Sequence, residues 1–397
     1  MREVLEGIRI LDVSTLIAGP LAAGMLGDFG AEVIKVEQPG VGDPVRSYAR
    51  TPAGASLYHK VTNRNKRCIT LDLHSESGRD LLRRLVPHCD VLITNFRPTT
   101  LAGWKIDYED LRPLNPDLVM LHLSAFGRTG PYRERPGFAR IAEAFAGLTE
   151  ITGEADGPPL FSSFPLADGS AGVYGAYAVL LALLHRQRSG EGQLVDMALY
   201  EPIVRMLEDV PAVYGSLGVV RRRQGNRNPG VAPNDLYPAR DGRWIVLPVS
   251  TQRMFERLAH AMGCPELIED PRFCNNTMRV ANREALDEYV RKFLLTRDAD
   301  DMVGYLHNCG VAAGTVNSIV DITRDVHIAD RKNLISVWDE EMQSNILMPN
   351  VVPRLEKTPG RVLSAGEELG ASNAYVYGQL LGLTPDEMVR LRQEGAI

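Results

Sequence analysis

The segment Asn63–Arg67 reads Asn-Arg-Asn-Lys-Arg and stands directly before a run typical of a β-strand, Cys68–Leu73. Cationic and amide side chains in such a loop can donate hydrogen bonds to phosphate oxygens. Runs of charge are also common on solvated surfaces. The pattern alone therefore leaves two interpretations open, an anion-binding loop or a loop that only faces water.

Asp168 stands near the start of a predicted helix. It precedes a long apolar stretch that ends near Ser189 and Gly190, which we predict to be a helix with a glycine exit. We place Asp168 just before that helix, where the unpaired N–H groups and the positive end of the helix dipole favour an ionised carboxylate. An Asp that merely caps the helix would stand at the same position, and capping is the default interpretation of the pattern by itself.

The first strand-helix turn, residues 12–24, has the position of a dinucleotide fingerprint but lacks the G-x-G-x-x-G spacing. Only Gly19 and Gly24 are available, and we expect them to let the helix pack closely on the sheet. This disfavours a nicotinamide-dependent dehydrogenase.

The cysteines are odd in number and show no C-x-x-C spacing, which argues against a disulfide framework and a structural zinc site. They are Cys68, Cys89, Cys264, Cys274 and Cys309. We predict that they pack in the interior, and we predict no metal site.

Strands and helices alternate through the N-terminal half, which predicts a mostly parallel sheet covered on both faces. The predicted strands are residues 8–13, 32–37, 68–73, 91–96, 118–124 and 193–199, with helices at 20–29, 77–85 and after Asp168. The fold class expected is therefore α/β, with a Rossmann-like large domain over residues 1–217.

Residues 218–234 are rich in Gly, Pro, Asn and Arg and show little periodicity, so we predict a linker there. Residues 235–325 predict a smaller α+β domain, with a strand at 244–249 and helices at 254–262, 283–295 and 300–308. Residues 326–397 are expected to return to the large domain. They end in a helix for which Thr384 is the predicted N-cap.

The 397 residues carry a net charge of -6, with 24% charged and 44% apolar residues. This composition is typical of an ordinary soluble acidic protein and gives no reason to expect nucleic acid as a partner. The uncharged run Gly169–Leu184 is too short and too rich in Gly and Tyr for a membrane span, so we expect a buried helix. The first residues, interrupted by Glu3 and Glu6, do not have the pattern of a signal peptide, and we expect a cytoplasmic protein.

Several motifs in one order make the sequence resemble the family III CoA-transferases. They are LEGIRILDVS, AGPLAAGMLGDFGAEVIKVEQPGVGD, NRNKRCITLDL, TNFRPTTL, LSAFGRTGPYRERPGF, FPLADGSAG and HRQRSGEGQLVDMALYE. The likeness is dense from about residue 5 to 207 and continues more thinly to the C-terminal QEGAI. It implies an interlocked homodimer with the small domain inserted between two portions of the large one.

The resemblance implies that Asp168 is the catalytic nucleophile, which attacks an acyl-CoA and becomes an aspartyl-CoA thioester. The backbone amides of Gly169 and Ser170 are candidate oxyanion donors. Acyl-CoA and a small organic acid are then the partners, both as substrates, and no permanently bound cofactor, ATP or metal is needed.

By the same resemblance, several residues are expected to bind CoA, and Tyr58 matches an active-site tyrosine position of formyl-CoA transferases. The expected CoA-binding residues are Asn63, Lys66, Arg67, Asn95 and Arg97, with Lys105 in place of an Arg that relatives carry nearby. For Tyr58 the alternative is a core aromatic.

Differences from individual branches of the family narrow the choice of substrate. The racemase branch has a catalytic His where this chain has Phe138, and the formyl-CoA transferases have a Gly-rich loop where it reads Pro248–Gln252. Arg140 suits a second carboxylate, held through two hydrogen bonds, and its alternative is an exposed Arg without a role. The prediction is CoA transfer from a succinyl-type donor to an organic acid, expected to be a dicarboxylate.

Other interpretations of the function stay open. Within the family, PVSTQ and ILMPNVVPRLEKTPG look closest to the carnitine branch, and a formyl-CoA transferase or an α-methylacyl-CoA racemase fits less well. Outside it, a non-catalytic CoA-binding protein would require that Asp168 be dispensable.

Overall fold

The computed structural model describes residues 3–51 and 54–397. The chain divides into a larger unit of Met1–Leu148, Phe161–Leu217 and Ala329–Ile397, and a smaller unit of Thr149–Leu160 and Gly218–Ile328. The sequence placed residues 149–160 in the large domain and made residues 218–234 a linker, whereas both segments lie in the smaller unit. They are joined there by an ion pair of Arg223 with Glu150 (3.1 Å) and by a hydrogen bond from the Gly225 N–H to the Gly153 carbonyl (2.8 Å).

Six parallel strands form the central sheet of the larger unit. They are β1 (Arg9–Asp12), β2 (Glu32–Glu37), β3 (Lys66–Thr70), β4 (Val91–Thr94), β5 (Val119–Ser124) and β6 (Leu194–Ala198). Their order is β3-β2-β1-β4-β5-β6, with Leu11 of β1 opposite Ile34 on one side and Leu92 on the other. The predicted α/β class with a Rossmann-like sheet is confirmed. The strand order reverses between β1 and β4, and open α/β sheets bind ligands beyond the carboxyl ends of the strands at such a point.

Helices cover both faces of this sheet. They are α1 (Ala18–Gly27), α2 (Leu57–Thr62), α3 (Glu76–Leu85), α4 (Pro98–Trp104), α5 (Tyr108–Leu111), α6 (Ala139–Phe145), α8 (Leu166–Ser189), α9 (Glu201–Met206) and α10 (Val210–Leu217), with 3-10 turns at Pro44–Ser47 and Val86–His88. The short helix α7 (Leu148–Ile151) begins the segment that belongs to the smaller unit. One apolar core joins the sheet to α1, α6 and α8, and the other joins it to α3 and the C-terminal segment.

Helix α8 packs against α1 through small residues. A Cβ on Gly172 would come within 2.7 Å of the Leu21 side chain, so the two helices approach more closely than a larger residue allows. In α1, a Cβ on Gly19 would lie 2.2 Å from the Ser14 hydroxyl oxygen, which agrees with the close packing predicted for this glycine. Helix α8 is long and apolar enough to cross a bilayer, but 56% of its most apolar window is buried. It ends at Gly190 in the left-handed conformation (φ 75°), as predicted.

The smaller unit has the predicted α+β character. Its elements are β7 (Asn234–Pro238), β8 (Trp244–Pro248), α11 (Gln252–Ala261), a 3-10 turn (Pro265–Ile268), α12 (Asn276–Ala281), α13 (Arg283–Leu294), α14 (Ala299–Asn308), β9 (Gly314–Thr315) and α15 (Ile319–Arg324). The strands form an antiparallel sheet in the order β7-β8-β9. Its core is built on Phe255, Phe273 and Val290, all fully buried.

The chain then returns to the larger unit. The elements are α16 (Val326–Asp330), the antiparallel strands β10 (Leu334–Asp339) and β11 (Ser344–Pro349), a π-helical turn (Ala374–Leu380) and α17 (Pro385–Gln393). The Thr384 hydroxyl accepts a hydrogen bond from the Glu387 N–H, so the predicted N-cap is confirmed. The hairpin of β10 and β11 lies in a stretch where the sequence showed no usable periodicity.

The returning segment also covers the open edge of β3. The Cys68 N–H donates to the Glu367 carboxylate (2.8 Å), the Thr70 N–H donates to the Asn373 side chain (2.9 Å), and the Cys68 carbonyl accepts from the Ser372 N–H (3.0 Å). An edge strand whose backbone groups are paired in this way is protected from pairing with another chain.

Candidate active site

A cavity of about 330 Å³ opens at the carboxyl edge of the larger unit's sheet. Its walls come from the loops that follow β1, β4 and β5, represented by Thr15, Asn95 and Ser124, and from Asp168 of α8. The cavity therefore lies at the reversal of strand order between β1 and β4, where this kind of sheet binds ligands.

Asp168 is part of α8 and does not precede it. The helix begins at Leu166, so Asp168 lies in its first turn, and the N-cap position is Pro165, which offers no side-chain cap. The sequence placed the start of the helix too late because the Pro165–Asp168 stretch carries no periodic apolar signal of its own. This geometry excludes the simple capping role, since the Asp168 carboxylate is not at the N-cap.

The cap is supplied by Glu143 from α6. Its Oε1 accepts a hydrogen bond from the Ala167 N–H at 3.2 Å, and the residue is only 2% exposed. Burial, followed by the charge of Glu143, raises the pKa of Asp168 to about 6. Glu143 thus holds the first turn of α8 in place and makes the Asp168 carboxylate more basic than an ordinary Asp.

The predicted oxyanion donor at Gly169 is already engaged within the helix, because its N–H donates to the Pro165 carbonyl at 3.0 Å. Gly169 is instead required because a larger residue does not fit at this position. A Cβ there would lie 2.5 Å from the ring of Phe164, which packs against this turn.

Tyr58 of α2 is half-buried and packs edge-on against Tyr48, with ring centroids 6.0 Å apart. Burial and then the negative charge of Asp168 raise the pKa of its phenol. Tyr58 therefore feels the charge of Asp168 although the two residues are far apart in the chain, which no local sequence pattern shows.

Asn95 and Arg97 both line the cavity. The Asn95 side chain accepts a hydrogen bond from the Thr15 N–H (2.9 Å) and donates one to the Thr15 carbonyl (2.8 Å), so it joins the loops after β1 and β4. Arg97 is exposed at the N-cap position of α4 and lines the same cavity as Asp168.

Buried charges hold the cavity loop after β1 in shape. The Lys35 ammonium group pairs with Asp43 at 2.9 Å and donates to the Ser14 carbonyl, while an Asp43 oxygen accepts from the Leu16 N–H at 3.1 Å. Leu16 has a φ of 67°, a left-handed conformation that is strained for this residue type. Burial alone would raise the pKa of Asp12, but the Lys35 and Lys66 ammonium groups hold that pKa below its usual value.

The segment Asn63–Arg67 lies at the amino-terminal edge of the sheet, since residues 63–65 precede β3 and Lys66 and Arg67 are its first two residues. Lys66 is fully buried, and its ammonium group donates to Asp12 (2.9 Å), the Pro20 carbonyl (2.6 Å) and Asn63 (2.9 Å). All three of its N–H donors are thus engaged within the core. The geometry favours a structural role for Asn63 and Lys66 over the phosphate contact expected from the sequence.

Three other predicted contacts are exposed but are not among the residues lining the cavity. Arg67 pairs with Glu32 at 3.0 Å and lies over the Tyr375 ring at 4.3 Å. Lys105 ends α4 in a left-handed conformation with a φ of 53°. Arg140 of α6 rests against the Phe161 ring, 5.2 Å from its centroid. The structure therefore does not bring Arg140 to Asp168 as the sequence suggested.

Arg133 and Arg135, which the sequence analysis did not select, line the cavity. Both belong to the segment GRTGPYRERPGF that follows β5. The sequence signal that could have found them is their position after a strand end, where open α/β sheets bind ligands.

A second cavity of about 210 Å³ shares Thr15 and Phe96 with the first. His74 and Trp104, whose rings meet edge-on at 5.1 Å, lie in its wall with Gln38. The two cavities form neighbouring compartments along the carboxyl edge of the sheet.

Three buried groups, Glu37, His59 and Cys68, lie close enough to share a metal ion. Arg46 already holds both Glu37 oxygens, at 2.6 and 2.7 Å. The two ring nitrogens of His59 are within hydrogen-bond distance of the Asn63 side chain and the Glu367 carbonyl. Because Glu37 and His59 already have partners in the chain, this cluster does not offer a free set of metal ligands.

Known proteins resemble this chain over most of its length. The model of the family described as "CoA-transferase family III" matches residues 5–373. The chain is 42% identical to a succinyl-CoA–D-citramalate CoA-transferase of Chloroflexus aurantiacus, over 99% of this chain and 98% of that protein. It is 35% identical to a succinate–glutarate CoA-transferase of Agrobacterium fabrum, over 95% of each.

Among solved structures, a CAIB/BAIF family protein from Brucella suis is similar, with a TM-score of 0.86 and 32% identity, covering 96% of this chain and 100% of that one. The resemblance predicted from the sequence motifs is confirmed. This chain belongs to the family III CoA-transferases, enzymes whose substrates are CoA thioesters.

Proposed function

We propose that this enzyme transfers CoA from succinyl-CoA to a dicarboxylate through an aspartyl-CoA thioester on Asp168. The observation that carries the proposal is that Asp168 is the only carboxylate among the described residues lining a cavity that also presents Arg97, Arg133 and Arg135. The cavity thus combines one nucleophile with cationic groups suited to anionic substrates. The C. aurantiacus and A. fabrum relatives are named for dicarboxylate substrates, which supports this class of acceptor.

In the first half-reaction, the Asp168 carboxylate attacks the thioester carbonyl of succinyl-CoA and expels CoA thiolate, which leaves a mixed anhydride. The thiolate then attacks the Asp168 carbonyl and releases succinate, so that Asp168 carries CoA as a thioester. The acceptor carboxylate attacks this thioester, and the released thiolate attacks the acceptor side of the new anhydride. The products are acceptor-CoA and free Asp168 carboxylate.

The surroundings of Asp168 favour these steps. Its raised pKa makes the carboxylate a better nucleophile, and burial with the adjacent Glu143 charge disfavours the free anion relative to the uncharged anhydride and thioester. Tyr58, whose pKa responds to the charge of Asp168, would donate a hydrogen bond to the oxygen that becomes negative during attack.

The second cavity would hold the nucleotide end of CoA, because the rings of His74 and Trp104 offer surfaces for a base. Asn95 and Arg97 would bind the connecting arm between the two cavities. CoA contacts by Asn63, Lys66, Arg67 and Lys105 stay predictions. We place the reaction in the cytoplasm, in line with the CoA thioesters it uses.

The exposed surface of helix α8 favours a homodimer. It exposes an apolar stripe consisting of Val173, Tyr177, Leu180, Leu181 and Leu184, each more than 40% exposed in the single chain. A contiguous apolar face of this kind is typical of an interface between protein chains. We propose that a second copy of the chain covers it in an interlocked homodimer.

The test is an assay of purified enzyme with succinyl-CoA and a panel of mono- and dicarboxylates, in which each new CoA ester is identified by mass. Wild-type enzyme treated with succinyl-CoA and then hydroxylamine or borohydride should be modified on the peptide containing Asp168. Asp168→Asn keeps the size of the side chain but removes the nucleophile, and it should abolish transfer with an unchanged circular dichroism spectrum. Modification of another peptide, or turnover by Asp168→Asn, contradicts the proposed function.

A further inference from the structure

The cavity beside Asp168 has an excess of positive charge that the chain itself does not neutralise. Arg133 lies 3.8 Å from Glu134, whose carboxylate also accepts a hydrogen bond from Thr99. Arg97 and Arg135 have no carboxylate partner among the residues that the structure describes. Unpaired guanidinium groups beside a cavity with a single carboxylate suit a substrate that brings its own negative charge.

Arg135 is the more firmly held of these two cations. Its guanidinium carbon lies 3.5 Å from the centroid of the Tyr132 ring, and its backbone N–H donates to the Tyr132 carbonyl at 2.8 Å. Tyr132 in turn packs edge-on against Phe126 and Phe145, each with a centroid distance of 6.0 Å. A guanidinium stacked on a ring keeps its in-plane N–H donors free, and these match the two oxygens of a carboxylate.

The two cations lie on different walls of the cavity. Arg97 follows Phe96, which is shared with the second cavity, so Arg97 lies toward the compartment proposed for the CoA nucleotide. Arg135 belongs to the loop after β5, beside Gly137 and Phe138. Arg97 is thus placed for the CoA arm, and Arg135 for the acyl group.

We propose that Arg135 binds the distal carboxylate of the succinyl group and of the dicarboxylate acceptor, and thereby determines the substrate class. This assignment rests on the proposed function. It transfers to Arg135 the role that the sequence suggested for Arg140, which lies against Phe161 and not in the cavity wall. Arg135 is a specificity residue, and Asp168 carries the chemistry.

The test compares two acyl donors that differ in the distal carboxylate, succinyl-CoA and butyryl-CoA. The measured quantity is the ratio of their rate constants for forming the Asp168 acyl-enzyme or aspartyl-CoA in a single turnover, followed by mass. Arg135→Met should lower this ratio at least tenfold, equivalent to about 1.4 kcal/mol, because the carboxylate of succinyl-CoA would lose its charged partner while butyryl-CoA has none to lose. Arg135→Lys retains the charge without the planar fork and should give an intermediate ratio.

Arg297→Met is the matched control, since Arg297 also stacks on a tyrosine, 4.0 Å from the Tyr305 centroid, but lies in the smaller unit. It should leave the donor ratio unchanged. Equal losses with both donors in Arg135→Met, an unchanged ratio, or a selective loss in Arg140→Met instead would overturn the assignment. If Arg135→Met does not fold, a wild-type ratio in Arg135→Lys overturns it. A wild-type enzyme that forms no intermediate from either donor would refute the proposed function itself.

Discussion

Glu143 caps α8 and, after burial, its charge raises the pKa of Asp168, so it connects the position of Asp168 with its basicity. No sequence motif marks it, because its two roles depend on α6 and α8 being adjacent in the fold. The sequence singled out Asp168 only through the family resemblance of the FPLADGSAG motif, and its role as nucleophile stays a prediction. Its elevated pKa was not predictable, since burial and a neighbouring charge are properties of the packed structure.

We predict that Glu143→Gln moves the acidic limb of the pH-rate profile to lower pH. The Gln side-chain oxygen can still accept from the Ala167 N–H, but the negative charge that helps raise the pKa of Asp168 is lost. Wild-type kcat/KM for succinyl-CoA should fall below a pH of about 6 as Asp168 is protonated, while the variant should stay active further into acid. Profiles measured from pH 4 to 8 on both proteins test this.

Glu143→Ala is the companion variant, because it removes both the charge and the cap. It should shift the profile in the same direction and also lower the melting temperature, since losing a helix cap costs about 1 kcal/mol. An acidic limb that is the same in wild type and Glu143→Gln would show that burial alone sets the pKa of Asp168.

Arg140 and Arg135 show what the sequence does not reveal about single residues. The sequence drew attention to Arg140 and not to Arg135, because it does not show which way a helix and a loop face. Arg140 is on α6 and contacts Phe161, whereas Arg135 is in the loop that forms the cavity wall.

At the level of elements, the buried pair of Lys66 and Asp12 connects β3 to β1 across β2. We predict that Lys66→Met destabilises the protein by roughly 3–5 kcal/mol, because Asp12 would keep a buried charge without one of its partners. Urea unfolding of the two proteins measures this change. If Lys66 instead served CoA, the variant would keep its stability and show a raised KM for succinyl-CoA.

The contact between α1 and α8 depends on glycine. Gly172→Ala should destabilise the protein by about 1–3 kcal/mol, because the added methyl group overpacks against Leu21. Gly304 in α14 is the matched control, since a Cβ there meets no atom within 4 Å and alanine favours helix. Thermal unfolding should therefore show a lower melting temperature for Gly172→Ala and an equal or higher one for Gly304→Ala.

Many of the strands and helices could be predicted from the sequence. Strand β2 has the predicted bounds, and β1, β4, β5 and β8 lie within the predicted runs, because buried strands and covering helices have distinct periods. The hairpin of β10 and β11 was missed because residues 340–343, its turn, contain no Gly and no Asn-Gly or Asp-Gly signal. The edge contacts of β3 with Glu367 and Asn373 join residues about three hundred positions apart, beyond the reach of any local pattern.

For the whole molecule, we predict an obligate homodimer. The exposed apolar stripe of α8 needs a partner, and interlocked chains could not separate without substantial unfolding. Sedimentation velocity over a wide dilution series should give one species with twice the chain mass, and loss of that species in urea should coincide with loss of secondary structure. A folded monomer in rapid exchange with dimer would contradict the interlocked arrangement.

The route of the chain between its two units has a consequence for its synthesis. Val376 and Tyr377 share a core with Leu11 of β1, yet the whole segment Gly218–Ile328 of the smaller unit is made between Leu217 and these residues. At about 5–20 residues per second, a ribosome needs roughly ten to thirty seconds to cover that interval. Throughout it the nascent chain carries a sheet face without its C-terminal cover, whereas the smaller unit has all its residues once Ile328 has been made. A chaperone that binds apolar surface would therefore act on the first half of the nascent chain, and only until the last segment emerges.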